Sequence, residues 1–223
     1  MGSLVDSFFN AEILARALPA VTAGLWVTLQ LTLAIIPTGI TLGLALALVR
    51  VRRLRPLNIL IVIFVDVFRA VPPLVILIVL YFALPYLDIR LSGFTAAWLG
   101  LSLVLAAFSE EIFWAGILSV DEGQWEAARA TGLSSSATLV YVVLPQAVRL
   151  AIAPLTNRAI AIGKGTALAS VIAVPEILNQ ATSIQAQTAN PSPLTLAAMA
   201  YLVLFLPLVV ASRWVESRFG WRH

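Results

Sequence analysis

Acidic and basic side chains within long apolar segments are the groups of this chain best placed to do chemistry. A charge inside a bilayer costs about 2.5–3.5 kcal/mol on insertion scales, so each one needs a ligand or a partner. Glu111 can hold an ammonium group, and Lys164 can hold a carboxylate. We therefore expect these two residues either to contact a charged solute or to belong to structural ion pairs.

The residues beside these two charges bear on both interpretations. Trp114 lies one helical turn after Glu111 on the same face of a helix. Gly163 and Gly165 flank Lys164, and two glycines would leave the backbone there loose and without side-chain cover. The tryptophan beside Glu111 and the glycines beside Lys164 would both suit a site that binds a charged solute.

The remaining intramembrane charges have a simpler interpretation. Asp66 and Arg69 are three residues apart on one helical face, and we expect them to pair with each other. Glu111 can also be neutralised within the protein, either by Lys164 or by Arg69. Glu110 faces away from Glu111, and we place it near the cytoplasmic end of its helix.

The composition identifies the solvent around these charges as lipid. The chain has 223 residues, of which 61% are hydrophobic and 11% charged, whereas a soluble domain carries about 25% charged residues. There is no cysteine, which excludes disulfides and thiolate metal sites. The scattered arginines are typical of membrane orientation rather than of nucleic-acid binding, and no nucleic acid is expected as a partner.

The apolar segments predict an all-α membrane protein with five transmembrane helices in a single transmembrane domain, residues 1–223. No cleaved signal peptide is expected, because the first polar residues are acidic. We interpret the stretch after the fourth span, 176–193, as a polar loop. The predicted spans are about 17–49, 57–84, 95–119, 143–175 and 194–212.

The distribution of arginines predicts the orientation. With five spans, the basic cluster 50–55, the polar loop 121–140 and the basic C-terminal tail lie on one side of the membrane. The positive-inside rule then places the N-terminus outside and the C-terminus in the cytoplasm. An odd number of spans disfavours an inverted repeat within one chain, so we expect the chain to be half of an assembly.

The polar loop predicts a short amphipathic helix over 123–131, closed by Gly132 as the left-handed residue after its end. By periodicity alone, this helix could be an ordinary interfacial helix between two spans. Its apolar face would contain Trp125, Ala127 and Ala128, and its polar face Glu122, Glu126 and Arg129.

The same loop carries a longer pattern. Glu126-Ala127-Ala128, then Gly132, then Leu144-Pro145 resembles the EAA loop of ABC-importer permeases. Three further segments resemble the polar amino-acid branch of that family, of the histidine, glutamine and arginine type. They are 68–74, 111–126 and 164–172.

This resemblance implies a fold and a set of partners. The fold would be that of a type I ABC importer permease in the bacterial inner membrane. The chain would pair with a second copy or a sister subunit, and a periplasmic or lipid-anchored binding protein would deliver an amino acid. A cytoplasmic ATPase dimer would bind ATP and magnesium, so this chain would hold no cofactor and catalyse no reaction itself.

The resemblance also implies roles for individual residues. The residues that would contact the ATPase are Gln124, Trp125, Glu126, Ala127, Arg129 and Gly132. The residues that would contact substrate are Glu111, Trp114, Lys164 and Thr166. Trp114 replaces an arginine of the family pattern, and Gly165 replaces an acidic or amide residue, so part of the usual substrate set is changed.

We expect alternating access driven by the ATPase as the mechanism. One alternative is a proton-coupled secondary carrier that uses Glu110 and Glu111 as a relay. Another is a membrane scaffold without transport activity.

Overall fold

The computed structural model describes the backbone of residues 4–219 and the side chains of residues 4–214. All regular structure in this described part is helical. The helices are α1 (Leu4–Phe8), α2 (Ala11–Val51), α3 (Arg55–Ala70), α4 (Pro73–Ile78), α5 (Gly93–Leu118), α6 (Glu122–Ala130), α7 (Ser135–Thr138), α8 (Leu144–Lys164), α9 (Ile177–Thr188) and α10 (Ser192–Phe219).

The membrane-spanning segments follow the apolar runs of the sequence. Four stretches are long and apolar enough to cross a bilayer, and a fifth crossing is possible if α3 and the bent segment after it count as one span. The four stretches are Leu4–Val51, Gly93–Leu118, Ser135–Ile172 and Ser192–Trp214. Each of the four begins before its predicted start, whereas Gly93–Leu118 and Ser135–Ile172 end before the predicted residues 119 and 175.

The predicted span 57–84 is not one helix. The chain bends by 104° between Arg55–Ala70 and Pro73–Leu87. Val71 is extended, with a ψ of 130°, because the residue before a proline avoids helical geometry. Pro73 then begins α4, at a position where the missing N–H is not needed.

The predicted loop 176–193 contains a helix instead, α9. The carboxylate of Glu176 caps it by accepting hydrogen bonds from the N–H groups of Leu178 and Asn179, at 3.0 and 2.7 Å. The helix lies close against α2, since a Cβ on Gly24 would come within 2.8 Å of the Glu176 backbone. Tertiary packing therefore stabilises a helix in a segment that reads as polar loop.

α5 lies at the centre of the bundle, in contact with α2, α3, α4 and α8. Most of its residues are buried, including Leu101, Leu105 and Phe113. Glycine allows a close approach to α2, because a Cβ on Gly39 would lie 2.7 Å from the side chain of Leu105. This central helix carries Glu110 and Glu111, so both carboxylates have fixed backbone positions.

Two wide helical turns interrupt the spans. One covers Val79–Ala83, and the other, Leu139–Val143, joins α7 to α8. In the second, the N–H of Leu144 donates to the carbonyl of Leu139 five residues earlier, which defines a π turn. A proline follows each turn by two residues, and the wider backbone makes room for its ring.

Candidate functional site

Both ends of α6 are closed by side-chain and backbone hydrogen bonds. The carboxylate of Asp121 accepts from the N–H of Gly123 at 2.7 Å. At the other end Gly132 has a φ of 92°. The N–H of Gly132 donates to the carbonyl of Arg129, and the N–H of Leu133 donates to the carbonyl of Ala128. These two bonds form a Schellman motif, so the prediction of Gly132 as the closing residue is confirmed.

One face of α6 packs on the ends of the spans. Ala128 is 7% exposed, and the half-buried Trp125 packs against a buried cluster. Ala127 is exposed, so its predicted place on the apolar face is wrong. The helical positions of Trp125 and Ala128, three residues apart, leave Ala127 on the other side. The buried residues of this cluster are Ile117, Val120, Val143 and Ala147.

The opposite face of α6 is open. The side chain of Gln124 contacts Gln146 of α8 at 3.4 Å. The helix therefore presents a charged surface while its other face is fixed to α5 and to the turn before α8. The exposed residues on the sequence-predicted contact surface are Gln124, Glu126, Ala127, Arg129 and Gly132.

A second set of functional candidates lies within the bundle, where Glu110 forms a buried ion pair. One guanidinium nitrogen of Arg50 lies 3.0 and 3.1 Å from the two carboxylate oxygens of Glu110. The Glu110 side chain is completely buried, and that of Arg50 is 18% exposed. The same guanidinium lies 4.6 Å from the ring centroid of Trp114, so Arg50 covers a face that we expected to meet substrate.

Glu111 pairs with Arg69 across α5 and α3, at 3.0 Å. This is one of the two structural pairs that the sequence left open for Glu111. The predicted pair between Asp66 and Arg69 is wrong, because Arg69 is turned toward α5. The pair is accessible, since the Arg69 and Glu111 side chains are 38% and 42% exposed.

Sequence reasoning missed Arg158 and Phe108. The Arg158 guanidinium lies 3.6 Å from the centroid of the Phe108 ring, and that of Arg69 lies 5.6 Å from the same centroid. No carboxylate among the described side chains lies within ion-pair distance of Arg158. The signal was present, since Arg158 lies within a predicted span and an intramembrane charge is a functional candidate by default.

Lys164 and Thr166 do not share a surface. Lys164 is exposed at the end of α8, whereas Thr166 is buried and donates to the carbonyl of Gly163 at 2.6 Å. Gly163 is a packing residue rather than a loose one, because a Cβ there would lie 2.9 Å from the Phe205 ring. Gly165 has open space around it, as the sequence suggested.

Comparisons with known proteins place this arrangement among transport proteins. Residues 39–221 match the family described as "Binding-protein-dependent transport system inner membrane component". The probable amino-acid ABC transporter permease protein YckA of Bacillus subtilis is 39% identical over 179 residues, covering 80% of this chain and 79% of that protein. The probable glutamine ABC transporter permease protein GlnM of the same organism is 33% identical, covering 94% and 97%.

Solved structures agree with these sequence matches. A chain in the crystal structure of an amino acid ABC transporter with histidines is 32% identical, covers 92% of this chain and 96% of its own length, and has a TM-score of 0.84. A chain of the inward facing MetNI methionine ABC transporter has a TM-score of 0.72 at 18% identity, covering 92% of this chain and 98% of that chain. The second likeness concerns the fold alone, and together they confirm the all-helical arrangement predicted from the sequence.

Proposed function

Because the chain belongs to the family of inner membrane components of binding-protein-dependent transport systems, we propose that it moves an amino acid through the membrane in an ATP-driven importer. It is a multi-pass membrane protein, and we place it in a bacterial inner membrane. Its partners in this proposal are a second permease subunit, a cytoplasmic ATPase dimer and an external amino-acid-binding protein. ATP and magnesium bind to the ATPase, and this chain supplies no catalytic group.

The observation that carries the proposal is the geometry of α6. Its exposed face bears Glu126 and Arg129, and its buried face is fixed to the ends of two spans. Because hydrogen bonds close both ends of α6, we expect the helix to move as a rigid unit when a partner displaces its exposed face. Closure of the ATPase dimer would therefore move α6 together with α5 and α8, and the bundle would open to the other side of the membrane.

The solute contact that fits this bundle is the cluster around Phe108. An amino acid carries a carboxylate and an ammonium group. The guanidinium of Arg158 suits the first and the carboxylate of Glu111 suits the second. Arg69 holds Glu111 in position until the ammonium arrives, and Phe108 lies against both guanidinium groups. Lys164 and Thr166 remain predicted contacts at a different place along α8.

The test is uptake by vesicles that contain the complete importer, with radiolabelled glutamine, arginine and cystine as probes. We expect uptake that requires ATP and the binding protein. Uptake driven by a pH gradient without nucleotide would instead support the secondary carrier that uses Glu110 and Glu111. The absence of any solute-dependent activity would support a scaffold.

Variants of α6 separate coupling from folding. Glu126→Lys and Gly132→Pro should abolish uptake and reduce co-purification of the ATPase, because the first reverses an exposed charge and the second removes the positive φ. Glu12→Lys makes the same charge change at the opposite end of the bundle and should retain the ATPase. Full docking and uptake in both α6 variants would exclude this helix as the coupling element.

A further inference from the structure

A narrow groove runs along the bundle between α2, α8 and α10. Its volume is about 400 Å³, within the range of pockets that hold small ligands. Each helix contributes a stripe of residues four apart, so the groove is elongated along the helix axes. The stripes are Thr32, Ile36 and Ile40 on α2, Ile152, Thr156 and Ile160 on α8, and Leu208 and Ser212 on α10.

The interior of this groove offers a ligand few hydrogen bonds, because its polar side chains are three hydroxyls and only that of the buried Thr32 has no partner. The hydroxyls of Thr156 and Ser212 donate to carbonyls of their own helices, at 2.8 and 2.9 Å. Phe205, which is 4% exposed, lines the groove and rests against Gly163 at the end away from α6. The groove therefore suits a chain of methylene groups rather than a polar solute.

A single basic residue continues the α8 stripe toward the α6 end of the bundle. Arg149 lies three residues before Ile152 and seven before Thr156, on the same face of α8. It is exposed, and no carboxylate of the described side chains is within ion-pair distance. Arg149 lies near the α6 end of the bundle, because Ala147, two residues earlier, packs on Gly116 close to the start of α6.

We propose that the groove binds an acyl chain of an anionic phospholipid, from the leaflet on the α6 side, with the lipid phosphate at Arg149. An elongated apolar channel with a basic residue of α8 beyond its end matches a molecule that has an apolar tail and an anionic head. Basic pockets between transmembrane helices are known to hold anionic lipid headgroups in this way. The site is separate from the Phe108 cluster and does not depend on which solute is moved.

The charge at the end of the groove selects among the possible occupants. A zwitterionic phospholipid would fill the apolar part and carries the same phosphate, but the cation in its head offsets the attraction to Arg149, so it would bind more weakly. If a second copy of this chain filled the groove, it would need an apolar ridge to fit between the helices and an acidic residue at the end of that ridge to pair with Arg149. The anionic lipid satisfies both parts of the site from the surrounding bilayer.

The test is photolabelling of the complete importer in vesicles by phosphatidylglycerol that carries a diazirine on its acyl chain. We expect labelled peptides within 152–160 and 208–212, and weaker labelling by phosphatidylcholine with the same chain. Arg149→Gln should lower phosphatidylglycerol labelling about fivefold, the factor for one basic residue near an anionic surface. Ala211→Phe, at an exposed lining position, should fill the groove and remove labelling by both lipids.

Arg213→Gln is the matched control. Arg213 follows Ser212 and is exposed, but the helical turn of about 100° per residue points it away from the groove. It should leave labelling unchanged. Equal labelling by the two lipids with no effect of Arg149→Gln would overturn the proposal. Crosslinks from the groove to a second copy of the chain would overturn it as well, because the occupant would then be protein.

Discussion

Glu110 and Glu111 are neighbours in the sequence, yet the structure gives them opposite environments. Glu110 is completely buried, and one nitrogen of Arg50 contacts both of its oxygens. Glu111 has a single contact to Arg69, and both partners are more than a third exposed. A helix turns each successive residue by about 100°, which is enough to place one carboxylate inside the bundle and the other at an accessible surface.

The difference separates a structural pair from a functional candidate. A buried pair cannot release its partner without leaving an uncompensated charge, which is strongly unfavourable. An exposed pair is weak, so a ligand that offers a better ammonium or carboxylate can displace one partner at small cost. On this ground our proposal gives Glu110 a structural role and makes Glu111 the candidate for solute contact.

The largest expected effect is on stability, from Glu110→Gln. It leaves Arg50 mostly buried without a carboxylate, and we expect a loss of about 3–5 kcal/mol in the free energy of unfolding. Unfolding of the purified full-length chain in detergent measures it. Glu111→Gln serves as the control and should lose less than about 1 kcal/mol. Equal losses in the two variants would remove the distinction between the pairs.

The second effect is on transport, from Glu111→Gln. We expect the apparent affinity for the transported amino acid to fall about tenfold or more, because a hydrogen bond to a charged group contributes about 1.5–3 kcal/mol. The concentration dependence of uptake measures it, and Glu12→Gln is the control. Wild-type affinity in Glu111→Gln would show that the accessible carboxylate does not contact the solute.

A smaller effect is expected from Arg158→Lys. The substitution keeps the positive charge but loses the planar contact with Phe108, which is worth about 0.5–2 kcal/mol. The free energy of unfolding should fall by about 0.5–2 kcal/mol. The apparent affinity should fall about threefold, because an ammonium group lacks the planar fork of donors that a carboxylate binds. Arg149→Lys makes the same change outside the cluster and should leave the affinity unchanged. A fall of the same size in both variants would contradict the assignment.

The smallest effect is expected from Trp114→Leu. Arg50 stacks on this ring, so the change should cost about 0.5–1 kcal/mol of stability. Since that face of the ring is already covered, we expect the affinity for the solute to stay at the wild-type value. A large loss of affinity with unchanged stability would return Trp114 to the substrate site.

Features encoded within a few residues were predictable from the sequence. The cap at Gly132 follows from local chemistry, because glycine accepts a positive φ at the end of a helix. The overall fold, a type I importer permease with up to five spans, follows from the apolar segments and the resemblance to that family. Both predictions are confirmed.

Features that depend on distant contacts were not predictable in this way. Arg50 meets Glu110 across 60 residues of sequence, and no local pattern indicates that pairing. For Arg69 the sequence predicted Asp66 as the partner, and a spacing of three residues could not show that the side chain meets Glu111 of α5 instead. The π turn before Pro145 was equally hidden, because prolines such as Pro37 and Pro154 lie within helices that have no such turn nearby.

The π turn at Leu139–Val143 has a consequence for how the gene can vary. A π turn is a turn of α-helix that contains one additional residue, so this segment has one residue more than an ordinary α-helix would need between α7 and α8. Deleting one residue there would convert the turn to an ordinary α-helix and keep the faces of α6 and α8 aligned, but the ring of Pro145 would then meet the helix backbone, at a cost of about 3 kcal/mol. The same deletion in α5 would rotate everything beyond it by about 100°. Length variants of this protein should therefore be less damaging at this turn than in the central span.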